Sequence, residues 1–214
     1  MSDYGSLETF PWPSDEDDLF GGRTSQWRNV AYVEGPWGSN PHAYARGYRD
    51  AAEALVDYAM KQVRHPDFLI YPIMFLYRQF VELRLKQIAI AAAQLLDESP
   101  PRENILQRHE LEPIWSFCRR MLLKTGGGPV ADLDNVERTV KQLAWADGGS
   151  YAFRYARDKR GDRSLPSELK GIDLANVRDV MAGVGNFLDS AVDMIDAEQD
   201  ARDDWLSEVA LYGP

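Results

Sequence analysis

From Ile73 to Leu96 the chain reads IMFLYRQFVELRLKQIAIAAAQLL, a run with no helix breaker that is apolar in almost every direction. A helix without a polar side cannot lie on a surface, so it must be surrounded by other helices. The run therefore dictates an all-α bundle built around it. Within it Arg78, Glu82 and Lys86 are spaced i, i+4 and i+8, which places them on one face where they can pair along the helix. Charges on a central helix are costly to bury and must be partnered. Two readings of the stripe follow: Arg78 and Glu82 form an ion pair that locks the bundle, or they line a cleft that handles a ligand.

The neighbouring segments supply the other helices. Tyr48, Ala52, Leu55, Val56, Ala59 and Val63 share one face of a helix over 43–64, which His65-Pro66-Asp67 breaks. Pro72 falls in the first turn of the central helix or at a kink inside it. A third helix starts near His109 to Pro113, continues through Ile114, Phe117, Cys118 and Met121, and stops at Gly126–Gly128. Asp132 or Asp134 is positioned to cap a short fourth helix through Val136, Val140 and Leu143. Asp173 is positioned to cap a long final helix with Leu174, Val177, Met181, Val184, Leu188 and Ile195 inward. Gly183 and Gly185 within it predict the close approach of a neighbouring backbone. Residues 147–171 show no helical period; the alternation Tyr151, Phe153, Tyr155 and the turn-like 158–161 predict a small hairpin or ordered loop, with all three rings pointing one way. The fold class is thus an all-α bundle of four to five helices with a small non-helical hairpin or loop insertion.

Outside the bundle the composition changes. Residues 1–42 are rich in Gly, Pro, Ser, Asp and Trp and read as an acidic, extended arm, whose Trp12, Trp27 and Trp37 are expected to pack onto the body or onto a second subunit. The bundle occupies 43–196, and 197–214 is an acidic C-terminal extension. The net charge of −10 is unevenly spread: residues 1–20 carry six acids and no base, residues 189–208 eight acids and one base, which leaves 21–188 at +3. Attraction to phosphate depends on local patches, so the overall acidity does not exclude a nucleic-acid partner.

One cysteine and three histidines give no disulfide and no metal-ligand spacing, so no metal and no cofactor is expected; Cys118, among apolar neighbours, reads as a core filler. The first residues, MSDYGSLETF, lack a basic region and an apolar run, and Phe68–Leu76 is too short to span a membrane. A cytoplasmic protein with no membrane partner is the expectation. Phosphate-binding Gly-rich loops, Gly-x-Ser-x-Gly elbows and zinc motifs are missing from the sequence, so NTPase, serine hydrolase and zinc-enzyme readings have no support.

Two places remain for function. His109 at the start of the third helix is the histidine best placed to face the stripe, and its titration range suits acid–base work. Arg102 precedes it at Arg-x6-His spacing. The other place is the loop, where Arg154, Arg157, Lys159, Arg160 and Arg163 stand against only Asp158 and Asp162, interleaved with Tyr151, Phe153 and Tyr155. Cations mixed with aromatic planes suit single-stranded nucleic acid, while a solvated hairpin with its rings on the core is the plainer explanation.

The segments YRQFVELRLKQI (77–88) and RHELEPIW (108–115) resemble the HEPN superfamily of helical bundles, in which a helix ending in Glu-x-x-Leu-Lys is followed by His-x-Leu at the next helix start. Glu82–Lys86 and His109-Glu110-Leu111 carry the pattern, and 153–166 and 172–189 are similar to a group of bacterial proteins of this kind. The resemblance, over 43–196, implies a homodimer. It also implies a metal-independent ribonuclease whose active members carry Arg-x4–6-His on a late helix. Here Arg102 and His109 precede the third helix and no histidine follows residue 109. The implied function is therefore a divergent, non-catalytic module that binds RNA or a protein from a neighbouring gene, of the sort found in toxin–antitoxin and phage-defence systems. The alternatives are an endoribonuclease with His109 as acid–base and Arg78, Arg102 or Arg154 stabilising charge beside Glu82, and a purely structural interaction bundle.

Overall fold

A computed structural model describes residues 12, 13, 15, 18–20, 28, 30–33, 40–62 and 66–213. The chain divides into two units, Met1–Gly38 and Ser39–Pro214. In the first, Trp12 is exposed and the Phe20 amide donates to Asp18 Oδ1 at 3.1 Å; Trp27 and Trp37 lie outside the described residues.

The second unit is an all-α bundle. Its helices are α1 (Pro41–Gln62), α2 (Ile70–Leu95), the single turn α3 (Glu103–Leu106), α4 (Leu111–Thr125), α5 (Val130–Ala146) and α6 (Leu174–Tyr212), with a 3-10 turn at Pro66–Phe68. The α2 helix is central: Ile73, Phe80, Val81, Leu85, Ile88, Ala89 and Ala92 are wholly buried, and α1, α4 and α6 pack around them. Pro72 lies in its first turn, where a missing amide costs no hydrogen bond.

The ends follow local chemistry. Asn40 Oδ1 accepts from the His42 amide at 2.8 Å and Pro41 opens α1. Gly126, at φ 73°, ends α4 in the left-handed conformation that other residues adopt only with strain. Asp173 Oδ1 accepts from the amides of Ala175 (2.9 Å) and Asn176 (3.1 Å), the cap read from the sequence.

Several expectations need correction. Neither Asp132 nor Asp134 caps α5: the helix starts at Val130 after Pro129, with no side-chain cap, because proline pre-sets the entry and lies before both acids. Asp134 instead pairs with Arg119 of α4 at 2.6 Å. No backbone crowds Gly183 or Gly185. Gly183 faces open space, and at Gly185 a Cβ would lie 2.7 Å from Cζ of Arg49, whose guanidinium lies flat against the helix. The acidic segment after residue 196 continues α6 unbroken to Tyr212.

Candidate functional site

Arg78 is the largest fully buried side chain, and each of its guanidinium nitrogens has an acceptor. Nε donates to the main-chain oxygen of Asp147 at 2.8 Å, Nη1 to Glu82 Oε2 at 2.9 Å, and Nη2 to the main-chain oxygen of His109. Three elements thus meet on one cation: α2 itself, the end of α5, and the start of α4. A guanidinium suits this task because its planar fork presents several donors in fixed directions. The geometry is that of a strut.

Glu82, 1% exposed, completes the stripe. Its Oε1 accepts from Lys86 Nζ at 2.7 Å and lies 2.9 Å from His109 Nδ1. Burial works against its charge, but the bonds from Lys86, His109 and Arg78 outweigh it and hold the carboxyl below its ordinary range. The His109 ring is half-exposed. With Nδ1 donating to Glu82, Nε2 is the nitrogen left to meet solvent, the arrangement of an imidazole whose tautomer is fixed from behind. Of the expected catalytic residues the fold unites Arg78, Glu82 and His109. Arg102 is exposed at the N-cap of α3 and makes no hydrogen bond or ion pair with them.

The loop between α5 and α6 hangs from the same cluster through Asp147. Asp147 Oδ1 accepts from the amides of Tyr151 (2.6 Å) and Ala152 (2.9 Å). Tyr151 in turn opens a helical turn, its main-chain oxygen accepting from the amides of Arg154 (3.0 Å) and Tyr155 (3.1 Å). That turn overrides the alternation expected from Tyr-x-Phe-x-Tyr. Only Phe153 is buried, whereas Tyr151 and Tyr155, four residues apart, stack at 4.6 Å with Tyr155 half-exposed. The expected hairpin reduces to one antiparallel bridge, Arg157 to Arg163.

The cations divide into braces and free ends. Arg154 donates to the Ser150 main-chain oxygen at 2.7 Å and covers the rings of Phe75 and Tyr155. Arg157 donates to the Gly161 main-chain oxygen at 2.6 Å, and Arg163 to that of Leu169 at 3.1 Å. Lys159 and Arg160 at the tip are exposed. A cleft of about 450 Å³ lies beside the loop, lined by Trp145, Gly148, Gly149, Tyr151, Arg163 and Ser164 among others.

Sequence reasoning missed two features. Asp147 closes the loop and buttresses Arg78, its Oδ2 lying 3.7 Å from Nε; an aspartate before Gly148-Gly149 at a helix end was the available signal. A second polar seam joins α1, α2 and α6. There Arg84 Nε meets Asp189 Oδ1 at 2.7 Å, while Arg49 bonds Asp189 Oδ2 at 2.7 Å, Glu53 at 2.9 Å and Asn186 at 3.0 Å. The aspartate they share lies on α6, far along the chain from both arginines, so only tertiary contact reveals it.

Cys118 is buried, donates to the Leu85 main-chain oxygen at 3.1 Å, and its thiol is pushed well above its usual range by burial. That is the environment of a core residue. Among the described residues, no cluster of three or more metal-ligating side chains occurs, and no helix is long and apolar enough to cross a membrane. Comparison with protein-family models, curated proteins and solved structures finds no match to this chain.

Proposed function

We propose that this protein binds single-stranded RNA through the loop at 151–163 and does not cleave it. The observation that carries the reading is the Tyr151–Tyr155 stack, with Tyr155 half-exposed, in the same loop as the exposed Lys159 and Arg160. Aromatic rings and the Arg154 guanidinium packed with them are groups on which any base can stack, and the cations neutralise phosphate, the two requirements of sequence-tolerant single-strand binding. The cluster at Arg78 supports the division of labour, since its donors are engaged within the fold and are not free for a scissile phosphate. Membership of the HEPN superfamily, with a place in a toxin–antitoxin or phage-defence system, belongs to the same proposal and rests on the residue pattern at 82–86 and 109–111.

A second reading has one observation in its favour. His109 is anchored through Nδ1 to Glu82 with its ring half-exposed, as a general acid–base residue would be. Incubation of the purified protein with labelled RNA in EDTA separates the two. Salt-sensitive retention without cleavage supports binding. Cleavage that disappears in His109→Ala supports the ribonuclease and overturns the binding-only reading. Neither retention nor cleavage turns attention to a protein partner.

A further inference from the structure

The long helix α6 carries opposite chemistry at its two ends. Its N-terminus adjoins the basic loop: Arg163, Leu169, Ile172 and Leu174 line one hollow with Tyr71 and Phe153. Among the described residues its last hydrogen bonds to the bundle are Gln199 Nε2 to the Ala91 main-chain oxygen (2.9 Å), and Arg202 to the Leu95 main-chain oxygen (2.8 Å) and the Asp97 carboxylate (2.8 Å). Beyond Arg202 the helix continues to Tyr212 past the end of α2. This projecting end has Trp205 61%, Leu206 45% and Leu211 75% exposed, with Val209 one turn on from Trp205. Around this stripe stand Asp200, Asp203, Asp204 and Glu208, and no base follows Arg202.

A helical end of ten residues whose side chains are mostly exposed is marginal in water, and an apolar stripe led by tryptophan asks for a partner. The groove of about 750 Å³ between α5 and α6 is a poorer one, because Asp132 and Asp179 line it against a single base, Arg138. The loop is complementary in both respects. It bears Arg154, Arg157, Lys159, Arg160 and Arg163, and the cleft beside it, with half-exposed Trp145, has room for an indole. Trp205 is held away from its own loop, since it lies 31 residues along α6 from Leu174, roughly 46 Å at 1.5 Å per residue.

We infer that the acidic end of α6 in one copy docks on the basic loop of a second copy, with Trp205 entering the cleft lined by Trp145 and Tyr151. Two copies laid antiparallel make both contacts at once and close as a pair, so association does not run on into chains. The inference shares the loop with the RNA reading but needs no RNA; the acidic helix and RNA phosphates compete for the same cations.

The test is the mass of the purified full chain, free of nucleic acid, by sedimentation at about 0.1 M and about 1 M salt, where screening lengths fall from about 10 to about 3 Å. A dimer at low salt that dissociates at high salt is expected. Trp205→Ala, the tail reversal Asp204→Lys with Glu208→Lys, and the loop reversal Lys159→Glu with Arg160→Glu are each expected to be monomeric. All lie on exposed side chains, so circular dichroism should remain that of the wild type. Mixing the two reversal variants restores attraction at both contacts, and a heterodimer is expected. A monomeric wild type at low salt overturns the inference, as does a dimer that survives Trp205→Ala and the tail reversal. RNA retention is scored separately: a wild type that dimerises without retaining RNA upholds this inference and removes the RNA reading, and a monomer that retains RNA does the reverse.

Discussion

Arg78 on α2 donates to the main-chain oxygen of His109, 31 residues away, while Glu82, one turn along the same helix, meets the His109 ring at 2.9 Å. The central helix therefore holds both the backbone and the side chain of this histidine. The first contact fixes where α4 begins, and the second fixes which way the imidazole faces. The structural and chemical readings of the stripe divide between these two contacts, and different substitutions test them.

Arg78→Leu should remove the strut and leave Glu82 and two main-chain oxygens buried without it. The expected loss is about 3–5 kcal/mol of unfolding free energy, measured by urea titration. Arg78→Lys should recover only part, because an ammonium cannot span three acceptors in the plane of a guanidinium. A wild-type midpoint for Arg78→Leu would show that the cluster does not hold the helices together.

Glu82 gives the protein an acid-sensitive component. Its carboxyl titrates below the ordinary glutamate value of 4.5 in the folded chain. The unfolded state accordingly takes up protons first as pH falls. The contribution is complete above about pH 4.5 and is lost as pH descends through the lower folded value. Glu82→Gln should be less stable at neutral pH and show a flatter decline between pH 5 and 3, followed by thermal unfolding. An equally steep decline in the variant would assign the acid sensitivity to other carboxylates.

Two glycines of α6, separated only by Val184, should respond oppositely to alanine. Gly183 faces open space, so Gly183→Ala should stabilise by about 0.5–1 kcal/mol through helix propensity alone. At Gly185 the new Cβ meets the Arg49 guanidinium at 2.7 Å and pushes it against the bonds that hold it to Asp189 and Asn186. A loss of about 1–3 kcal/mol is expected there. Equal effects at both positions would mean that Arg49 does not rest on the helix.

Much of the frame was legible because its causes are local. The central helix, the glycine stop after α4 and the Asp173 cap each depend on residues within a turn or two. The Glu82–His109 meeting was inferable as well, since a polar stripe on a buried helix must find partners. Contacts between distant segments left no such trace. Arg78 and Asp147 are 69 residues apart, and Arg49 and Asp189 are 140 apart. The tyrosines were misread for a different reason: alternation implies a strand only if the backbone is extended, and Asp147 Oδ1 instead fixes the start of a helical turn.

The proposed binding of RNA by the loop carries a graded prediction. Tyr155→Ala should weaken binding of a single-stranded oligonucleotide by about 1–3 kcal/mol, whatever its sequence. Lys159→Ala or Arg160→Ala should each reduce the slope of log affinity against log salt by about 0.7.

The measurement that bears most directly on the central claim is the fluorescence anisotropy of a labelled single-stranded RNA, titrated in EDTA with the wild type and with Tyr155→Ala/Lys159→Ala/Arg160→Ala. The account predicts salt-dependent binding by the wild type, intact RNA at the end of the titration, and loss of most affinity in the triple variant. Absence of binding at low salt, or binding that the triple variant retains in full, would contradict it.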